Sequence, residues 1–380
     1  MLLSYKYRLY PSRAQTAALE AMLGAFCDLF NAGLQQRIEA YRRQGKTLRY
    51  ADQANELKAV RAVDERLAGY SFSAEQQVLR RLDKAFKAFF RRLKERKGKA
   101  GFPRFRAKSR FDSVEFRVGD GLTVRKTKRL GIVGIPGEIK VKWHRDIPAR
   151  AKVGAAVLCR NAGCWYVVFQ IEVPDSEAAE RPFNPVGLDV GLSALVALST
   201  GHREPAPAWT KRAAKGLRRR QRALSRKRRF SAGWRKAKRT VARYQGHIAA
   251  CRRNFLHKLS GRLAGEFTHI AFEDLNVAAL GRTMLAKSVH NAVWGQLIAL
   301  TSYKAARAGG VVTKVSPHGT SQTCSGCGCD APKTLAVRTH ECPHCGLVLD
   351  RDVNAARNIL SRADFGPGTG LVARSGRVAA

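Results

Sequence analysis

The amino-acid sequence predicts a multidomain fold of α/β plus all-β class, in which a β-barrel carrying an inserted helical domain precedes an α/β domain. Three patterns predict it. Between Ser113 and Val173 apolar residues alternate with period two, and Gly-rich turns separate the short runs, as in a small antiparallel barrel. Before Ser113 apolar residues recur at helical spacing. After Pro185 apolar strands alternate with longer helical segments, which is typical of an α/β domain.

Length and charge limit the classes of partner. A chain of 380 residues is long enough for two or three domains, and 45% hydrophobic content is normal for a globular protein. The formal net charge of +41 destabilises a compact state by self-repulsion unless a polyanion neutralises it. Nucleic acid is the natural polyanion, although membrane-surface and ribosomal-type proteins are also basic. We expect no membrane-spanning run and no signal peptide, and therefore a soluble intracellular protein.

A strand over Lys6 to Tyr10 opens the chain, and helices follow it. Ser12 and Gln15 have the spacing of a capping box, so a helix is expected to begin there. Ser73 and Gln76 repeat that spacing and predict the start of a second long helix. The first strand is expected to complete the barrel, which makes the helical domain an insertion in it.

The strands expected in the rest of the barrel are Val114–Val118, Leu122–Val124, Ile139–Trp143 and Trp165–Phe169. A segment rich in Pro, Glu and Ala, from Pro174 to Pro185, is interpreted as a linker to the α/β domain. In that second domain, strands are expected over Val186–Val190, Leu195–Leu198, Thr268–Phe272 and Val311–Val315, with helices at Val289–Ala308 and from Asp352 onward. Sequence after Ser361 is Gly-rich and is expected to fray.

Three acidic residues occupy the ends of these elements. Asp189 lies in the apolar strand Val186–Val190, where an unpaired charge would be costly. Glu273 ends the strand before it, and Asp352 opens the last helix. This order is that of an RNase H-like fold, in which such carboxylates meet at one sheet edge. Carboxylates so gathered hold two Mg²⁺ ions about 4 Å apart for phosphodiester hydrolysis.

Each acid also has a purely structural interpretation. Asp352 or its neighbour Asp350 would serve as a helix N-cap, and Glu273 or Asp274 as a solvated turn residue. Asp189 between Leu188 and Val190 has no comparable alternative. The order of the three motifs along the chain favours a joint metal site.

Two CxxC pairs, Cys324 with Cys327 and Cys342 with Cys345, are separated by fourteen residues. This spacing predicts a zinc ribbon with four thiolate ligands, a structural element that seldom catalyses anything. His340 and His344 would be substitute ligands. Cys329 lies close to Cys327 but does not fit the CxxC spacing. The other scattered cysteines are expected to be buried thiols of a reducing compartment.

A basic helical stretch runs from Thr210 to Leu263. There is no Asp or Glu between Pro205 and Gly265, so we expect it to contact phosphates rather than form a solvated ion-paired face. Four aromatic residues lie among the basic ones and would stack on bases or join the core: Trp209, Phe230, Trp234 and Tyr244.

The motifs together resemble a known family. They are Gly187–Gly191 (GLDVG), Phe272–Asn276 (FEDLN), Thr320–Cys327 (TSQTCSGC), Cys342–Gly346 (CPHCG) and Asp350–Ile359 (DRDVNAARNI), with lesser matches at Lys6–Pro11 and Phe255–Ser260. The sequence is similar to TnpB, the transposon-encoded OrfB family ancestral to type V CRISPR effectors. The likeness covers nearly the whole chain.

The resemblance implies an RNA-guided DNA endonuclease that cleaves double-stranded DNA beside a short transposon-adjacent motif. Its partners would be a guide RNA from the transposon end and target DNA, with no membrane, in a monomeric ribonucleoprotein of the bacterial or archaeal cytoplasm and nucleoid. It implies a wedge barrel (1–11 and 110–180), a helical recognition domain (12–109), a RuvC nuclease domain (181–317 and 347–365), a zinc-ribbon target-nucleic-acid-binding domain (318–346) and a flexible tail (366–380).

The resemblance also assigns residues. The RuvC acids, which would bind Mg²⁺, are Asp189, Glu273 and Asp352, because Asp352 directly precedes the Val-Asn-Ala-Ala run. The zinc ligands are Cys324, Cys327, Cys342 and Cys345. Two alternatives share much of this sequence pattern: a nuclease-inactive RNA-guided repressor, and a structure-specific nuclease that uses no RNA.

Overall fold

The computed structural model describes residues 1–95, 100–174, 181–207, 209–275, 293–334 and 337–363, without the side chains of 209–212. The chain divides into two compact units, Met1–Asp175 and Ser176–Ala380. Several predicted features lie outside the described residues: part of the linker, Asn276, the first residues of the helix expected from Val289, and the tail at 366–380.

The first unit contains a closed barrel of seven strands in the order β1-β5-β4-β3-β2-β6-β7. Its strands are β1 (Leu2–Tyr10), β2 (Ser113–Val118), β3 (Gly121–Val124), β4 (Leu130–Ile132), β5 (Glu138–Lys142), β6 (Lys152–Asn161) and β7 (Cys164–Glu172). The strand that opens the chain pairs with both β5 and β7 and so closes the barrel. The predicted barrel is confirmed, except that β2 and β3 run parallel instead of antiparallel. The sequence patterns did not reveal β4 and β6.

The described residues between β1 and β2 form four α-helices and a short 3-10 helix (Lys108–Arg110). The α-helices are α1 (Arg13–Gln44), α2 (Tyr50–Val63), α3 (Glu65–Ala68) and α4 (Phe72–Glu95). The first capping box is confirmed, since Ser12 Oγ accepts from Gln15 N at 3.2 Å and Ser12 N donates to Gln15 Oε1 at 2.9 Å. The second is wrong. Helix α4 begins two residues earlier than expected, and Ser71 Oγ, rather than Ser73 Oγ, accepts from Ala74 N at 3.3 Å.

Helix α1 corrects one expectation from the sequence. Among the described residues it is the one helix long and apolar enough to cross a membrane by length and composition. More than half of its apolar window is buried in the unit. Leu19, Phe26 and Phe30 lie in a core that the helices share with barrel residues such as Phe116 and Phe169. Its apolar character is therefore accounted for by packing against the barrel.

The second unit contains a five-stranded sheet in the order β10-β9-β8-β11-β12. The strands are β8 (Pro185–Asp189), β9 (Ala194–Leu198), β10 (Arg203–Pro205), β11 (His269–Glu273) and β12 (Val311–Val315). The first three are antiparallel neighbours, whereas β11 runs parallel to both β8 and β12. This is the strand order of an RNase H-like domain, as the sequence predicted, with β8 as its first strand and β11 as its fourth. The edge strand β10 was not among the strands expected from the sequence.

The helices in the described part of this unit are α5 (Trp209–Ser225), α6 (Ala232–Glu266), α7 (Trp294–Arg307) and α8 (Arg351–Arg362). The basic helical stretch expected over Thr210–Leu263 is a pair of packed helices. It breaks at residues 226–231, where Ser231 Oγ accepts from Trp234 N at 3.1 Å and begins α6. We call residues 318–350, which carry the four cysteines, the cysteine segment. A small hairpin of β13 (Thr339–Glu341) and β14 (Val348–Asp350) ends this segment and leads directly into α8.

Candidate active site and metal centre

Two of the predicted acids lie side by side at the ends of paired strands. In the parallel pairing of β8 with β11, Gly187 is opposite Ala271 and Leu188 is opposite Phe272. The next positions are Asp189 and Glu273, on strands whose backbones are about 4.8 Å apart. Each acid is the last residue of its strand, so the register itself brings the two carboxylates to one edge.

Helix α8 covers the face of the sheet to which these acids point. Side chains two apart on a strand share a face, and Ala271, two residues before Glu273, packs against Ile359 of α8. On β8, Gly187 stands two residues before Asp189 and touches the same helix. A Cβ at Gly187 would lie 2.0 Å from Ala356 O and 2.7 Å from Leu360 N. Close packing of strand and helix thus requires glycine here.

We expect Gly187→Ala to destabilise this unit by roughly 3 kcal/mol, because neither contacting atom belongs to a movable side chain. The melting temperature should fall by about 6–12 °C, which differential scanning calorimetry would measure. The matched control is Gly265→Ala in α6, where no atom lies within 4 Å of an added Cβ. That variant should be neutral or slightly more stable. Equal melting temperatures for the two variants would show that α8 does not pack on Gly187.

Asp350 and Asp352 have different roles at the start of α8. Asp350 is the N-cap, since its Oδ1 accepts from Asp352 N at 2.9 Å and from Val353 N at 3.3 Å. The capping alternative therefore holds for Asp350. Asp352 follows in the first turn of α8, where its Oδ2 accepts from Ser193 Oγ at 3.1 Å.

Arginines lie beside these two acids. Arg203 of β10 contacts Asp350 Oδ2 at 2.8 Å and Asp352 Oδ2 at 3.6 Å, and Arg338 lies 4.0 Å from Asp352 Oδ1. They partly balance the negative charge on the α8 side of the cluster.

Glu273 is held from the cysteine segment. It is only 7% exposed, and the buried Thr320 donates its hydroxyl hydrogen to Glu273 Oε1. Because Oε2 takes no part in that contact, the hydroxyl fixes the carboxylate in one orientation and leaves an oxygen for another partner. Sequence reasoning gave Thr320 no role. A hydroxyl four residues before the first cysteine was the only signal, and the partner is 47 residues away.

The three acids interact electrostatically. Burial is the largest cause that raises the pKa of Asp189, the nearby carboxylates of Glu273 and Asp352 act in the same direction, and together they bring it to about 8. Burial also raises the pKa of Glu273, opposed by the hydrogen bond from Thr320 and by Arg362. A divalent cation is the natural compensation for such a group of carboxylates. The oxygens of the acids are not drawn into a group as compact as that of the cysteines.

The raised pKa predicts how stability depends on pH. Between about pH 4 and pH 8, Asp189 is protonated in the folded protein and ionised in the unfolded protein. Without magnesium, the free energy of unfolding therefore falls as pH rises through that window. The loss would reach up to roughly 5 kcal/mol at pH 8. Thermal melts in magnesium-free buffer at pH 5 to 8 should show a steeper decline for the wild type than for Asp189→Asn. Parallel declines would contradict the raised pKa.

The four predicted cysteines form a compact cluster. Among the described residues, Cys324, Cys327, Cys342 and Cys345 are the one group whose ligand atoms all lie within 4.8 Å of each other. The Sγ separations are 3.7 Å for Cys324–Cys345 and 3.5 Å for Cys327–Cys342. A tetrahedral zinc with bonds of 2.3 Å requires separations of about 3.8 Å, whereas a disulfide would need about 2 Å. The donors fit zinc.

The chemistry of the cluster supports the same fit. Hydrogen bonds from the backbone N–H groups of Cys345 and His344 lower the pKa of Cys342, which favours the thiolate that binds metal. The alternative ligands do not join: His340 is buried with Nδ1 against Lys333, and Cys329 Sγ makes only a long contact of 4.0 Å to Cys327 O.

Two asparagines attach the cysteine segment to α8. Asn354 Nδ2 donates to Thr323 O at 2.9 Å, and its Oδ1 accepts from Ser325 N at 2.9 Å. One turn later Asn358 Nδ2 donates to Thr320 O at 2.9 Å and Thr323 O at 2.7 Å. These bonds fix the stretch 320–325, which contains both Cys324 of the cysteine cluster and Thr320, the partner of Glu273. The spacing of four along a helix signals a shared face, but the sequence does not show what that face contacts.

Comparisons with known proteins agree with this architecture. A family model described as "Probable transposase" (OrfB) matches residues 168–284, a Cas12f1-like TNB domain model matches 294–359, and a helix-turn-helix domain model of the OrfB family matches 1–46. A protein of Streptomyces pristinaespiralis named "Putative RNA-guided DNA endonuclease" is 33% identical over 94% of this chain and 88% of its own length. The chain belongs to the TnpB (OrfB) family.

A second TnpB-family relative, "Putative RNA-guided DNA endonuclease InsQ" of Escherichia coli (strain K12), is 31% identical over 99% of this chain and 96% of its own length. Among solved structures, that of a mini-RNA-guided endonuclease, CRISPR-Cas_phi3, aligns over 96% of this chain and 92% of its own with a TM-score of 0.48 and 10% identity. The two relatives from Streptomyces pristinaespiralis and Escherichia coli, which match almost the whole chain, confirm the resemblance of the motifs to TnpB.

Proposed function

We propose that this chain is an RNA-guided DNA endonuclease of a transposable element, which cleaves double-stranded DNA beside a short adjacent motif in one RuvC-type site. The observation that supports the proposal is the pairing of β8 with β11, since Asp189 and Glu273 follow the paired residues at one sheet edge, and α8, with Asp352 in its first turn, covers that face. The names of the two relatives that span the chain support the guided activity.

Asp189, Glu273 and Asp352 would hold Mg²⁺, two ions in our proposal. Bound magnesium activates the attacking water and stabilises the leaving oxygen of a phosphodiester. The chain's own residues prepare the site: Thr320 orients the Glu273 carboxylate, and Asp350 caps α8 so that Asp352 keeps its place in the first turn. Zinc on the four cysteines would have a structural role, because it fixes the segment that carries Thr320.

The partners would be a guide RNA from the transposon end and the target DNA. The net charge of +41 supports contact with both phosphate backbones, and specificity would come from pairing of guide and target. We propose a monomeric ribonucleoprotein of the cytoplasm and nucleoid, with the wedge, recognition, nuclease and zinc-ribbon domains bounded as given above.

Sequencing the RNA that co-purifies with the protein tests guidance. We expect one discrete species with a constant part and a variable end, and a ribonucleoprotein programmed with it should cut DNA that matches the variable end. Random RNA fragments would favour a structure-specific nuclease. A discrete RNA with target binding but no cleavage would favour a nuclease-inactive repressor.

A further inference from the structure

The turn between α5 and α6 holds an aromatic side chain in solvent on a strained backbone. Ser231 N donates to Arg228 O at 3.2 Å, so residues 228–231 form a β-turn with Phe230 in its third position. The φ of Phe230 is +66°, in the left-handed region that such a position usually gives to Gly or Asn. Its side chain is 63% exposed. Burial therefore does not account for a phenylalanine here.

The turn is closed by hydrogen bonds on both sides. Lys227 N donates to Leu224 O at 3.1 Å at the end of α5, and Ser231 Oγ caps α6. The ring of Trp234 lies with its centroid 5.5 Å from that of Phe230, at an angle of 57°. Because the two rings are tilted, they do not cover each other's faces. A further planar group has a π-face available for stacking.

Positive charge surrounds these rings. Arg226, Lys227, Arg228 and Arg229 are consecutive and exposed, and none of the ion pairs found in the described part of the chain involves them. The guanidinium of Arg229 lies 5.0 Å from the centroid of Phe230, and Lys238 Nζ lies 4.9 Å from that of Trp234. A planar group stacked here would have cations within reach of any phosphates attached to it.

We propose that residues 226–234, which we call the hairpin tip, bind an unpaired base of single-stranded RNA. Phe230 stacks on the base, and the flanking cations contact its phosphates. A base with its phosphates matches both the exposed ring and the basic run, whereas a neutral apolar partner would match only the ring. The choice of RNA rests on the proposed function, but binding at the tip requires no cleavage.

The test uses the full-length protein and a 12-nucleotide RNA with a central 2-aminopurine, whose fluorescence falls when the base stacks. We expect Phe230→Gly to weaken binding about 5- to 50-fold and to reduce the quenching. The same change should leave the melting temperature equal or higher, because Gly relieves the positive φ. Phe230→Tyr should bind like the wild type, and Phe230→Leu should resemble Phe230→Gly because it has no π-face.

The control variant is Phe183→Ala, which removes another exposed phenylalanine of the same unit, 53% exposed and outside the basic run. It should not change binding. Parallel measurements use paired RNA, single-stranded DNA of the same sequence, and vesicles containing phosphatidylserine. Phe230→Gly should affect paired RNA and vesicles little. An equal loss on paired RNA, a loss confined to DNA or vesicles, or wild-type binding by Phe230→Leu would each overturn the proposal, whether or not the protein cleaves DNA.

Discussion

Asp189→Ala is expected to reduce cleavage of guide-matched DNA by about 10³-fold or more while leaving RNA and DNA binding intact. Burial and two neighbouring carboxylates disfavour the charged form of Asp189. A bound cation would compensate this charge, and the loss is expected because Asp189→Ala removes the central carboxylate that would bind it. Binding should survive because phosphate contacts are made by the basic surface and not by acids. Single-turnover cleavage and a gel-shift titration on the same ribonucleoprotein would measure both.

Asp350→Asn is the matched control for this result. It removes a carboxylate from the same cluster, yet its amide oxygen still accepts the hydrogen bonds that cap α8. We expect most of the activity to remain, although the ion pair with Arg203 is lost. If Asp350→Asn were as inactive as Asp189→Ala, the N-cap would have to be reassigned as a metal ligand.

Cys324→Ser is expected to remove the bound zinc and to reduce cleavage at least 100-fold. Structural zinc contributes about 10–16 kcal/mol to the folding of zinc-finger peptides, so its segment would lose its fixed structure. The effect reaches the acids because Thr320, which orients Glu273, lies four residues before Cys324, and Asn354 and Asn358 bond the same stretch. Metal analysis by mass spectrometry and the cleavage assay would measure the two effects.

Cys329→Ser is the corresponding control, since this thiol lies in the same segment but outside the cluster. It should retain one zinc per chain and wild-type cleavage. Retention of a full zinc equivalent by Cys324→Ser would contradict the assignment of the four cysteines. A zinc-free Cys324→Ser variant that still cleaved normally would contradict the link between the zinc segment and Glu273.

Much of the second unit could be predicted because its signals are local. Asp189 and Glu273 each end a short apolar strand, and parallel register alone then puts them together. The cysteine spacing predicted the cluster for a similar reason. Contacts between residues far apart in the chain gave no comparable signal in the sequence. The bond from Thr320 to Glu273 and those from Asn354 and Asn358 depend on where a distant segment lies in the fold.

The errors also have physical causes. Strand β6 contains Gly154, Ala155 and Ala156, which weaken the alternation of a strand, and β4 is only three residues long. Ser71 and Ser73 are both plausible caps by sequence, and the choice between them depends on how α4 meets the core. The expectation of a basic helical stretch left the number of helices open, and Ser231 is the signal in the sequence for the second helix start.

Anomalous diffraction from crystals of the ribonucleoprotein bound to target DNA and soaked with Mn²⁺ tests the central claim most directly. We expect anomalous peaks within coordination distance of carboxylate oxygens from Asp189, Glu273 and Asp352, next to a phosphate of the DNA. Manganese bound elsewhere, or peaks that one of these three carboxylates does not contact, would contradict it.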